Sequence, residues 1–124
     1  MNLTRSLAQL ERLDLGGDTD GTHLVKSCHR LWQKPIGQFE VEDLRIMIGQ
    51  SLGLRHLVPL ALAVLERDPL AAGDFFPGDL LCSLLRADPW YWQGHVVERA
   101  HLERIVGSLA SPPPEVAKAL AGWR

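Results

Sequence analysis

Apolar residues recur along this chain at intervals of three and four, the spacing that lines them up on one face of an α-helix. Leu3, Leu7, Leu10 and Leu13 predict a first helix over 2–13. The following Leu15-Gly16-Gly17-Asp18-Thr19-Asp20-Gly21 reads as a loop. Thr22 can then cap a helix over 23–32 with an inner stripe of Leu24, Cys28, Leu31 and Trp32, ended by Pro35 and Gly37. A third helix is expected over 41–52. Glu40, Glu42 and Asp43 crowd its first turn, where the helix dipole favours negative charge. Its inner face is Leu44, Met47 and Ile48 with Val41, and Gly53 is its stop.

Residues 56–67 are apolar nearly all round, which predicts the central and most buried helix, with Pro59 in or near its first turn. Pro77 suits the first position of a helix over 77–86 that turns Leu80, Leu81, Leu84 and Leu85 inward, with Asp79 favoured by its dipole. Asp88-Pro89 breaks that helix, and Trp90-Tyr91-Trp92 leads into another over 96–109. Its core candidates are Val97, Leu102, Ile105, Val106 and Leu109. Ser111-Pro112-Pro113-Pro114 ends it, and 115–121 forms a short terminal helix. No run alternates with the period of a strand, and no repeat of fixed length occurs. The expected fold is all-α: a single domain over 1–124, built as a bundle of six or seven short helices.

Composition narrows the function. The 124 residues are 46% hydrophobic and 23% charged, enough for one core without metal or disulfide staples. Fifteen acidic residues against thirteen basic ones leave a formal charge of −2. Such a chain lacks the broad positive field of a protein that binds nucleic acid directly. The longest apolar run, Leu57 to Leu65, contains Pro59 and is far short of the roughly twenty residues of a membrane span. The first dozen residues lack the apolar segment of a signal peptide, and Cys28 and Cys82 sit in apolar helical settings. The expectation is a cytoplasmic protein with two buried thiols, no membrane partner and no disulfide.

Candidate chemistry is sparse. His95 and His101, six residues apart, cannot close on one ion from one helical face, and neither a C-x-x-C nor an H-E-x-x-H motif occurs. Asp18-Thr19-Asp20-Gly21 resembles part of a calcium loop, but His29 stands where that loop needs its last glutamate. There is no G-x-S-x-G elbow and no phosphate-cradling glycine loop. His95 and Glu98 could meet on one helix face, as they would in a hydrolase or in an ordinary surface pair. No catalytic residue, metal or cofactor is therefore assigned. What remains is surface. Residues 66–88 hold Glu66, Asp68, Asp74, Asp79 and Asp88 against Arg67 and Arg86; residues 11–20 hold Glu11, Asp14, Asp18 and Asp20 against Arg12. Trp90, Tyr91 and Trp92 cannot all enter a core from one short turn. Asp18, Asp20, Asp68, Asp74, Asp88, Trp90, Tyr91 and Trp92 are thus the candidate contacts for a basic protein partner. The competing reading is that the acids solubilise loops and the tryptophans anchor the last helix.

Between His23 and Trp92 the sequence resembles the all-helical immunity proteins of bacterial contact-dependent growth inhibition (CDI) systems. The likeness is carried by Val41-Glu42-Asp43-Leu44-Arg45-Ile46-Met47-Ile48-Gly49-Gln50, Gly53-Leu54, Leu57-Val58-Pro59-Leu60-Ala61-Leu62, Leu65-Glu66-Arg67-Asp68-Pro69-Leu70 and Gly73-Asp74-Phe75-Phe76-Pro77-Gly78-Asp79-Leu80-Leu81. The resemblance implies a non-enzymatic antidote that binds the C-terminal toxin domain of a cognate CdiA effector in the cytoplasm and covers its active site. Such toxins are often nucleases, RNase A-like ribonucleases among them. No contact residue is carried over from the family. A small helical adaptor or regulatory subunit without a toxin partner is the alternative.

Overall fold

The computed structural model describes residues 3–12 and 22–123. Eight α-helices follow one another in these segments: α1 (Leu7–Glu11), α2 (His23–Trp32), α3 (Val41–Gly49), α4 (Leu54–Arg67), α5 (Asp79–Arg86), α6 (Pro89–Gly94), α7 (Val96–Gly107) and α8 (Pro114–Trp123). A 3₁₀ turn at Ile36–Gln38 lies between α2 and α3. No strand occurs among the described residues, so the all-α expectation holds. The extra helix is α6: Pro89 opens it at N1 and Asp88 caps it by accepting the Trp90 N–H at 3.0 Å.

The caps explain where helices start. Thr22 Oγ1 accepts the Val25 N–H and starts α2 where the sequence places it. Glu40 and Asp43 form a capping box at α3, with Asp43 Oδ2 taking the Glu40 N–H at 2.9 Å and Lys34 Nζ at 2.7 Å. Helix α1 begins at Leu7, because Ser6 and Gln9 form a capping box there. Leu3 is therefore not helical. Its carbonyl accepts the Gly37 N–H at 2.9 Å, tying the chain start to the 3₁₀ turn.

Other boundaries move for backbone reasons. Gly53 is the N-cap of α4, in the left-handed region at φ 63°, so α4 begins at Leu54 and Pro59 falls inside it rather than in its first turn. The missing bond is the one to the Arg55 carbonyl, on a side where Arg55 and Ala63 are exposed and water can serve it. Likewise Pro77 does not open α5; Gly78, at φ 92°, is the N-cap and Asp79 the first helical residue.

The centre of the bundle is α5, not α4. It packs most extensively on α3 and α8 and also touches α4. Leu80, Leu81 and Leu84 are fully buried, each contributing about 1.5–3 kcal/mol of apolar burial. Around it Leu31, Met47, Ile48, Leu57, Leu65, Leu102 and Val116 complete one continuous hydrophobic cluster. Two expected core positions are surface instead: Leu24 is 41% exposed and Val97 84%. Cys28 and Cys82 are free and buried, and burial raises both thiols above their ordinary value.

Candidate recognition surface

The most ordered polar structure on the surface is the turn from Gly73 to Asp79 that leads into α5. Asp79 is buried at the first position of the helix, and its carboxylate reaches back to the turn. Oδ1 accepts the Gly73 N–H at 2.7 Å; Oδ2 accepts those of Phe75 at 3.0 Å and Phe76 at 3.4 Å. The remaining donor, the Asp74 N–H, goes to Glu42 Oε1 of α3 at 2.9 Å. Arg45, one turn along α3, donates Nε–H to Glu42 at 2.6 Å and lies 3.9 Å from Asp79. The backbone of the turn is thus held by two carboxylates from two helices, with one guanidinium between them. Gly73 is required by this closeness, because a Cβ there would run into Glu42 Oε1. Gly78 is required by its positive φ and by Val116 Cγ2, 2.7 Å from where a Cβ would stand.

Arg45 and its own hydrogen bonds hold the Glu42 carboxyl below its ordinary 4.5, with the Asp74 N–H adding to the effect. The contribution of a depressed carboxyl is present above its unfolded value and disappears as pH falls through its folded one. Glu42→Gln should therefore lower stability by about 1 kcal/mol at neutral pH. Urea titrations of variant and parent should converge as pH falls through the lowered folded-state value of Glu42, where its side chain also becomes neutral; a pH-independent gap would show that the charge plays no part.

This frame pushes Phe75 outward. The ring is 71% exposed, with the Arg45 guanidinium over one face at 4.1 Å from the centroid. Beside it lies a cleft of about 400 Å³ between α2, α3 and the turn, lined in part by His23, Leu24, Arg45, Ile46, Gln50 and Asp74. A neighbouring hollow of about 310 Å³ shares Leu24 and Gln50 with it and adds Val25, Cys28, His29 and Leu52.

Of the candidate contacts read from the sequence, Asp18 and Asp20 lie outside the described residues, as does the calcium-loop fragment. Asp68, Asp74 and Asp88 are exposed. Two of them have local duties: Asp68 Oδ1 accepts the Leu70 N–H at 3.2 Å, and Asp88 caps α6. Asp74 gives its backbone N–H to Glu42, and its exposed side chain lies beside the same carboxyl, within the field of Arg45. Asp79, counted with the surface acids, is interior. The three aromatics separate. Trp90 is 77% exposed, beside exposed Val96 and Val97. Tyr91 is half-buried: it stacks on His95 at 3.8 Å and donates its hydroxyl to Glu98 at 2.8 Å. Burial, and then Glu98, pushes its phenol well above the ordinary range.

Trp92 is a correction. It is buried, donates Nε1–H to the Leu84 carbonyl at 3.1 Å and meets Trp123 of α8 edge-on at 5.4 Å, so it cannot touch a partner. His95 and Glu98 are each engaged with Tyr91: His95 Nδ1 lies 2.7 Å from its carbonyl oxygen, and Glu98 accepts its hydroxyl. The feature that sequence reasoning missed is the frame itself, with Phe75, Leu24 and Val25. The signal available was an aromatic pair, Phe75-Phe76, directly after Gly73-Asp74 in a turn.

Comparison with known proteins agrees with the earlier resemblance. A family model described as CDI immunity proteins matches residues 9–102, extending the likeness beyond His23 at one end and Trp92 at the other. Searches of curated proteins and of solved structures return no significant match.

Proposed function

This chain belongs to the CDI immunity proteins, and we propose that it neutralises the C-terminal toxin domain of a cognate CdiA effector by binding it, without chemistry of its own. The match to the family over residues 9–102 carries this reading. The surface supports it: exposed Phe75 and Trp90 stand beside the outward carboxylates of Asp74 and Asp88, a pairing of aromatic anchor and charge suited to protein recognition. No helix of the described residues is long and apolar enough to cross a membrane.

The toxin this surface suits is a basic nuclease, an RNase A-like ribonuclease included, because an enzyme that grips phosphates presents positive charge around its active site. Asp68, Asp74 and Asp88 steer that domain, and Trp90, flanked by half-buried Tyr91, adds an apolar contact. The long-range field is weak. Fifteen acidic side chains against thirteen basic ones leave the whole chain at only −2. Steering is therefore local, and Asp18 and Asp20 add to it.

The decisive experiment is a pull-down of the toxin domain encoded immediately upstream, together with protection of cells that express it. No binding at low salt would remove the reading. Asp74→Lys should slow association about tenfold at low ionic strength, an effect that shrinks as salt is raised. Asp74 is the residue to reverse because, unlike Asp88, its side chain caps no helix. An unchanged association rate would place the interface elsewhere.

A further inference from the structure

The cleft beside Phe75 carries an imbalance of charge that the protein itself leaves unanswered. Glu42, Asp74 and Asp79 face a single guanidinium, that of Arg45. Arg45 is committed to Glu42 through Nε and Nη2 and lies close to Asp79, while the exposed Asp74 side chain sits beside the Glu42 carboxyl, so the corner keeps an excess of negative charge. Next to this negative corner stand apolar side chains: Leu24 and Ile46 line the cleft, Phe75 forms one wall, and Val25 continues the surface into the adjoining hollow. The wall is rigid, because every backbone N–H from Gly73 to Phe76 is taken by Asp79 or Glu42. A fixed aromatic, an apolar floor and an excess of carboxylate over guanidinium in one concave site have the composition of an interface centre, with little ordering left to occur on binding.

We propose that this cleft is the docking surface for the toxin domain, and that its occupant is a toxin segment carrying an apolar side chain next to a lysine or arginine. The apolar group packs against Leu24, Ile46 and the open face of Phe75, and the cation meets Asp74. This rests on the toxin-binding reading above and assigns it a place and a partner chemistry. The α6–α7 face is a different kind of surface. Trp90, Val96 and Val97 protrude there, and the hollow at that end is lined by Trp92 and Trp123 instead of by these three side chains.

The test measures binding of the purified toxin domain to the parent protein and to Phe75→Ala and Asp74→Asn. Both side chains are exposed, so thermal melting should change little in each variant, the lost contacts with Arg45 and Glu42 included. Phe75→Ala should weaken binding at least tenfold, chiefly through faster dissociation, and Asp74→Asn about fivefold with a shallower salt dependence. In the complex, amide exchange should slow over 23–27 and 42–46. If the parent does not bind, the toxin-binding function itself fails. If the parent binds while both variants stay within twofold of it, or if protection is confined to α6 and α7, the cleft is not the docking surface and the proposal is overturned.

Discussion

Asp79→Ala should destabilise the protein by about 3 kcal/mol, because it strands three N–H groups at once and leaves Arg45 facing a gap. A buried donor that loses its acceptor carries its full desolvation penalty, and here the donors of Gly73, Phe75 and Phe76 share one carboxylate. Asp79→Asn should fall between the two, since one oxygen survives to accept while the charge opposite Arg45 does not. Urea unfolding measures both losses, and hydrogen exchange locates them. The amides of residues 73, 75 and 76 should exchange faster even where the fold persists. Equal stability of parent and Asp79→Ala would mean that the turn is held by its backbone alone.

The second large effect separates neighbours in the sequence. Trp92→Ala should cost about 3–5 kcal/mol, the range for emptying a buried aromatic site. It removes packing between α5 and α8 and leaves the Leu84 carbonyl without its indole donor. For a domain whose total stability is of order 5–15 kcal/mol, that is a large share of the whole, and the melting midpoint should fall by many degrees. Trp90→Ala, two residues earlier, should shift stability by no more than about 0.5 kcal/mol. Thermal melts of the two variants decide the matter, and similar midpoints would contradict the burial assigned to Trp92.

The contrast marks how far the sequence could be read. Periodicity places residues on a face, and α2, α5 and α7 lie close to where it puts them. It does not say how far a neighbouring helix extends. Leu24 and Val97, which spacing assigns to inner faces, stand exposed at the first turns of α2 and α7, beyond the cover of the other helices among the described residues. Apolarity all round suggested that α4 is central, whereas α5, shorter and less uniformly apolar, is enclosed by α3, α4 and α8. Boundaries slipped where glycine takes a left-handed backbone: Gly53 moved Pro59 into α4, and Gly78 displaced Pro77 from the start of α5. The frame was invisible for another reason. It joins Glu42 to the amide of Asp74 across 32 residues, a pairing that no local spacing reports. Asp79 was legible only as a favourable charge at a helix start, because the bonds it makes run backward into the turn. Similarly, Trp90, Tyr91 and Trp92 look equivalent in sequence, and only the short helix α6 assigns one to solvent, one to a half-buried stack and one to the core.

The division of labour in the 73–79 turn has an evolutionary corollary. Glu42 and Asp79 hold the backbone of the turn, whereas the exposed side chains of Asp74 and Phe75 add only contacts at its edge, with Glu42 and Arg45, so those two can be exchanged at small cost to the fold. On the docking surface proposed above, a lineage meeting an unfamiliar rival could re-address its immunity protein with changes at two codons, without first having to reinvent the scaffold that presents them.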